Sequence, residues 1–232
     1  MSAQWSGWLA QALATDSPAL PTAGAMQVWL HLGWSVVLAW LGASLSGRWL
    51  AGRAHAVLGQ WLIALGVAVW VWVWVPGPNG LAYWLGLAFQ APSVAGVVVC
   101  ALLLGGRAVW GRNMGEVDGR VLVLAAMGVL LGWALLLDSF AVLPVQLYAR
   151  GFSPAVLGLV ILVALLPWAL SPKEPRVGPW AAHLVVPLAA LAFVVWRLPT
   201  GNVWDAMLDP WAWFVLQIWL LKQGLKRYKI NS

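Results

Sequence analysis

Long uncharged apolar runs separated by short polar turns set the pattern of this chain. The plainest is RAHAVLGQWLIALGVAVWVWVWVPGPNG, from Arg53 to Gly80. There a basic start is followed by an unbroken uncharged run and closed by a Pro-Gly-Pro-Asn-Gly turn. A run of about twenty apolar residues matches a helix crossing about 30 Å of hydrocarbon at a rise of about 1.5 Å per residue. Lys and Arg are retained on the cytoplasmic side of a membrane, so the Arg53 end is expected inside and the turn at 76–80 outside. Trp70, Trp72 and Trp74 alternate with Val as in a strand. A lone strand in lipid would leave its backbone unpaired, and helix is therefore the expectation.

Applied to the whole chain, the pattern predicts an all-α polytopic bundle of about seven transmembrane helices, at residues 26–45, 56–75, 81–104, 121–142, 155–170, 180–196 and 203–221. Residues 1–232 form one integral membrane domain on this reading, with the N-terminus outside and a basic cytoplasmic tail at 222–232. Within residues 1–25, Trp5, Trp8, Leu9, Ala12 and Leu13 recur at helical spacing, which suits a short helix in the outer interface. That segment has no Lys or Arg, hence no basic n-region, so the first apolar run is expected to be kept as a span. Of the 13 Lys and Arg residues, this threading leaves Arg150 and Arg197 outside and the remainder inside. The expected location is a bacterial inner (cytoplasmic) membrane. Two spans strain the scheme: the fifth is short and carries Pro154 and Pro167, and the seventh opens with Asp205 and Asp209.

Composition agrees, since 62% of residues are hydrophobic and 9% charged, against about 25% charged in soluble domains. The net charge of +6 would suggest nucleic acid in a soluble protein, but most of the cations flank apolar runs, where membrane orientation explains them. The lone cysteine, Cys100, excludes an intrachain disulfide. Many of the 20 Trp residues (Trp70, Trp72, Trp74, Trp84, Trp196, Trp204, Trp211 and Trp213 among them) fall near predicted outer ends, where indole rings settle at headgroup depth.

Ionisable and amide side chains inside a membrane are the first candidates for function. His31, Gln90, Ser93, Asp138, Asp205 and Asp209 all fall in the middle or outer part of the predicted spans and define a candidate ion or substrate path. The structural alternative places the acids at headgroup depth, hydrated or paired with Arg150 or Arg197, with Asp209-Pro210 as a helix cap followed by proline at the first helical position. Pro92 interrupts span three beside Gln90 and Ser93. Pro187 would free the His183 carbonyl in span six. Paired interrupted helices of this kind point to a transporter site.

Other chemistries find little support. His31 is expected near the outer face, and His55 and His183 near the inner one, and there is no Cys-x-x-Cys-His attachment motif. The last span has no mid-membrane Lys for a Schiff base. Gly42-Ala-Ser44-Leu45 only partly matches a nucleophile turn, and the inner loop around Gly111 lacks a phosphate-cradling ending. No cofactor is named by any motif. Gly59, Gly66, Gly128 and Gly132 are the expected helix-packing positions, and Arg107, Arg112, Arg120, Lys226 and Arg227 are expected to meet lipid headgroups or a partner. The function expected by elimination is a non-catalytic membrane subunit or accessory protein. It would dock to a protein partner, or to further copies of itself, in the lipid bilayer. The alternative is a small secondary transporter or channel using spans three and six and the outer Asp cluster.

Overall fold

The computed structural model describes residues 19–50, 55–73, 80–110, 118–170 and 182–231. Helix makes up 83% of these residues and none lies in a strand, so the chain is all-α over the part described. The order is α1 (Ala23–Trp49), α2 (Ala56–Val73), α3 (Leu81–Phe89), α4 (Val94–Trp110), α5 (Gly119–Ser139), α6 (Leu147–Arg150), α7 (Pro154–Leu170), a 3-10 turn at Ala182–Leu184, α8 (Val185–Trp196), α9 (Val203–Met207) and α10 (Pro210–Asn231). Local signals set several boundaries. Thr22 caps α1, its Oγ1 accepting from the Ala25 N–H at 3.2 Å, and Asp118 caps α5 by accepting from the Arg120 N–H at 2.9 Å.

Seven equivalent spans are not what the helices display. Two, α1 and α5, are long and apolar enough to cross a membrane, while α2, α4, α7 and α8 are apolar but shorter. The stretch expected as span three is two helices, α3 and α4, parted at Gln90–Ser93. The start of span seven is the separate short helix α9, and the expected tail is the continuation of α10 to Asn231. Pro187 does not interrupt span six. It is the third residue of α8, where a proline's missing N–H is one of those left unpaired in any case. The interfacial segment expected at the N-terminus lies almost wholly outside the described residues, as do Arg112 and Trp74.

Small residues govern how closely the helices approach. α1 packs most extensively against α2 through Ala39, Ala43 and Ala64, with Gly42 against Ile63 and Val67. With a methyl group or less at these points the backbones come near enough for dispersion contacts along the seam. The larger core gathers Trp29 of α1, Val94, Ala95 and Val97 of α4, Ala189, Ala190 and Phe193 of α8, and Val203, Trp204, Ala206 and Met207 of α9. α5 lies against α10, with Gly128 facing Leu216 and Gly132 facing Trp213.

The glycines divide accordingly. A Cβ at Gly132 would lie 2.2 Å from the Trp213 ring, so this expected packing position is one. Gly66 is exposed with nothing within 4 Å of a would-be Cβ, and Gly59 meets only Leu50, just past the end of α1. Gly66 therefore brings no helices together among the described residues, whereas a Cβ at Gly59 would crowd Leu50, the C-cap of α1. Their expectation rested on residue type alone, whereas approach depends on which side of α2 faces α1.

Outside these seams the helices are apolar and uncovered. Leu62 and Leu65 of α2, Leu130 of α5, Leu159 and Leu162 of α7, Leu191 of α8 and Val215 of α10 are all exposed, Leu130 to 68%. Most of each long apolar helix, α1 as well as α5, is left unburied, with apolar side chains facing outward.

Gly132→Ala is expected to force Trp213 from its place and destabilise the fold by about 1–3 kcal/mol, as overpacking does. Gly66→Ala should leave stability unchanged or raise it slightly. Thermal unfolding of both variants in one detergent checks the pair.

Candidate functional site

Two polar clusters hold most of the candidate residues. The first is the break between α3 and α4. The residue before a proline is pushed away from helical torsions, and here the chain leaves the helix at Gln90, two residues before Pro92. Gln90 has φ 64° and ψ −170°, a region that costs a side-chain-bearing residue about 1–3 kcal/mol. The freed carbonyls are taken up from α1. The Trp34 indole N–H donates to the Gln90 carbonyl at 3.0 Å, and the Trp29 indole N–H donates to the Pro92 carbonyl at 3.0 Å.

On the other side of the break the free groups are the first N–H groups of α4. The Ser93 N–H donates to Asp209 Oδ2 at 2.9 Å, and the Gly96 N–H donates to Ser93 Oγ at 3.2 Å. Asp209 is also the cap of α10, its Oδ1 accepting from the Ala212 N–H at 2.6 Å. One carboxylate therefore serves two helix starts, where the partial positive charge of each dipole favours it. The Asp-Pro cap expected from sequence is present, and its second oxygen reaches a helix more than a hundred residues away. Phe89 stacks edge-on with Trp211 at 5.0 Å and is tilted against Trp34 at 6.0 Å. Ser93 is fully buried, while the Gln90 side chain is exposed.

The second cluster joins α5, α6 and the turn before α9. Asp138 Oδ2 accepts from the Tyr148 N–H at 2.8 Å, and the Tyr148 hydroxyl donates to Asp205 Oδ2 at 2.8 Å. Thr200 Oγ1 donates to the same Asp205 oxygen. Asn202, wholly buried, donates from Nδ2 to the Tyr148 carbonyl at 2.9 Å, and its Oδ1 accepts from the Trp204 N–H. The Trp204 indole reaches the Leu147 carbonyl at 2.9 Å. Gly151 allows this closure, because a Cβ there would fall 2.0 Å from Asn202 Oδ1. Partial burial and the hydrogen bond to Asp205 push the Tyr148 phenol above the ordinary tyrosine range, since ionising it would place a second negative charge beside the carboxylate.

The six path residues therefore occupy three places. Asp138 and Asp205 share Tyr148, Gln90 and Ser93 flank the break with Asp209, and His31 turns Nδ1 to the Gln27 carbonyl of its own helix at 2.9 Å, its ring 5.6 Å from Trp72. No hydrogen bond joins the break to the Tyr148 cluster among the described residues. An open hollow of about 450 Å³ takes in Asp138, Leu143, Pro144, Gln146 and Tyr148, and none of the residues at the break. Neither Arg150 nor Arg197 pairs with an acid among the described residues. Arg197 lies over the Phe193 ring at 5.4 Å, and the ion pair present joins Arg120 to Asp118 at 2.7 Å. Among the described residues no three His, Cys, Asp or Glu side chains gather as metal ligands.

The indole donors were the signal that sequence reasoning missed. Trp29, Trp34, Trp204 and Trp213 each reach a backbone carbonyl of another segment, Trp213 that of Val129 at 3.0 Å. Buried indoles seek such acceptors. Of the Trp residues expected in the interfacial belt, Trp204 is buried in the core and Trp213 is half-buried against α5, whereas Trp70, Trp72, Trp84, Trp196 and Trp211 are exposed. No protein-family model, curated protein or solved structure compared with the chain gave a match.

Asp209→Ala removes an acceptor from both helix starts and is expected to cost about 1–3 kcal/mol. Asp209→Asn, with one acceptor oxygen left, should fall between it and the wild type in thermal unfolding. For Tyr148 the folded value is raised, so its contribution is complete below about pH 10, the unfolded value, and is lost as pH climbs through the folded one. Tyr148→Phe should flatten the alkaline fall in stability and remove a phenol that titrates above the ordinary tyrosine range from an ultraviolet pH titration.

Proposed function

We propose that the chain is a non-catalytic subunit of a bacterial inner membrane that crosses the bilayer seven times, with α3 and α4 sharing one crossing, and docks within the lipid to a protein partner. The apolar exteriors of α2, α5, α7 and α8 support membrane residence, since water would be a poor solvent for so many exposed Leu, Val and Trp side chains. The acids support a structural rather than a conducting role. Asp138, Asp205 and Asp209 are each engaged by a protein donor, and the last two accept two apiece.

The observation that carries the docking role is the Gln90 side chain. Its backbone carbonyl is held by the Trp34 indole, yet Gln90 as a whole is exposed, next in the chain to Phe89, whose ring meets Trp211. Nine residues of α3 precede it, so at about 1.5 Å per residue it lies about 13 Å below the start of that helix, near mid-membrane in this threading. A primary amide offers two donors and an acceptor. In lipid they are best met by polar groups of a neighbouring helix, which is how amides hold membrane helices together. The exposed aromatic surface around it supplies the apolar part of the same contact.

A photo-crosslinking amino acid at position 90, activated in native membranes, is expected to give a defined larger product containing a second polypeptide. The same group at Leu159 on α7 should give much less. Adducts to lipid alone from position 90, with the protein leaving mild detergent as a monomer, would remove the basis for the proposal.

A further inference from the structure

The far end of α10 carries an arrangement that the docking role does not use. Gly128 faces Leu216 and Gly132 faces Trp213, so α5 and α10 run antiparallel. At equal rise Arg120, near the start of α5, falls level with about residue 224 of α10. The helix continues to Asn231, past the end of its neighbour.

Successive residues turn by about 100°, which stacks Phe214, Ile218, Leu221, Leu225 and Tyr228 along one side, all of them exposed. That side is turned away from Trp213 and Leu216, which meet α5. Lys222 and Lys226 follow Leu221 and Leu225 by one residue each, on the adjoining outward side, and both are exposed. Arg227 is exposed as well; by the same turn it falls on the side of Trp213 and Leu216, just past the level at which α5 begins. Among the described residues no carboxylate pairs with these three cations, whereas Arg120 is already held by Asp118 through Nε and a terminal nitrogen. Of the cations expected at headgroups, Arg120 is thus neutralised in place. Lys226 and Arg227 make no ion pair among the described residues, and Lys222 stands beside them.

We infer that this end of α10 is a binding surface for anionic phospholipid, with Leu221, Leu225 and Tyr228 against the acyl chains, Lys222 and Lys226 on the phosphates, and Arg227 adding positive charge behind them. The inference rests on the membrane residence proposed above. Three like charges within two turns repel one another, and a negatively charged leaflet relieves that repulsion. Long basic side chains lay their methylenes on the apolar layer and lift their charges to its edge, which suits cations flanking an apolar stripe. An acidic segment of a partner would match the charge but leave Leu221, Leu225 and Tyr228 uncovered. A lipid leaflet meets both demands.

The test is reconstitution of the full chain into liposomes of mixed phosphatidylcholine and phosphatidylglycerol, followed by native mass spectrometry of the lipids retained on extraction. Wild type is expected to enrich phosphatidylglycerol. Lys222→Gln and Lys226→Gln should each lower that enrichment by about fivefold, while Lys222→Arg and Lys226→Arg retain it. Equal retention of the two lipids by wild type, or enrichment unchanged when Lys222, Lys226 and Arg227 are all Gln, overturns the inference. So does loss of a bound acidic protein from that triple variant with the lipid ratio unmoved. Failure of the wild type to enter liposomes at all would instead overturn the membrane residence, which makes the two failures distinguishable.

Discussion

A single carboxylate, Asp209, closes the polar gap around which the helices are arranged. A helix broken in an apolar setting leaves carbonyls at one stump and N–H groups at the other, each costly to bury without a partner. The break between α3 and α4 meets both demands from within the chain. α1 supplies the indoles of Trp29 and Trp34 to the carbonyl side, and Asp209 supplies oxygens to the start of α4 while capping α10. Three distant segments are thereby tied to one point. The left-handed Gln90 backbone is the strained residue that this network holds in place.

The same economy recurs elsewhere in the fold. Trp204 pins α9 to α6 through the Leu147 carbonyl, and Trp213 pins α10 to α5 through that of Val129. Glycine or alanine stands where each approach is closest, at Gly132 under Trp213 and Gly151 under Asn202. Where apolar surfaces meet apolar surroundings, burial gives little preference for one packing over another, so directional indole bonds and small-residue gaps fix the arrangement. Acids that would carry ions in a transporter instead act here as caps and latches. That is the physical basis for proposing a docking subunit over a conducting one.

Much of the architecture was legible in the sequence. Uncharged runs bounded by Gly, Pro and basic residues located the longer helices, though not α6 or α9, and Pro92 and the Asp209-Pro210 pair stand at the two places where the expected spans three and seven divide. The depth of those divisions was not legible, because a proline reads alike whether it kinks a helix or ends it. Pro187 misled for the same reason, lying in a first turn where it breaks nothing. Glycine positions were half legible: residue type suggested Gly66 and Gly132 equally, and only the facing of each helix separates them. The pairing of Asp209 with Ser93 and of Tyr148 with Asp138 and Asp205 could not be read at all, since each joins segments through space.

If the protein's own groups seal the break between α3 and α4, it lines no water-filled path. Amide hydrogen exchange of the full chain in lipid nanodiscs, read at Ser93, Gly96 and Ala212, addresses it directly. Slow exchange is expected at all three, comparable with the interiors of α1 and α5. Rapid exchange there, as fast as in an exposed loop, would contradict it.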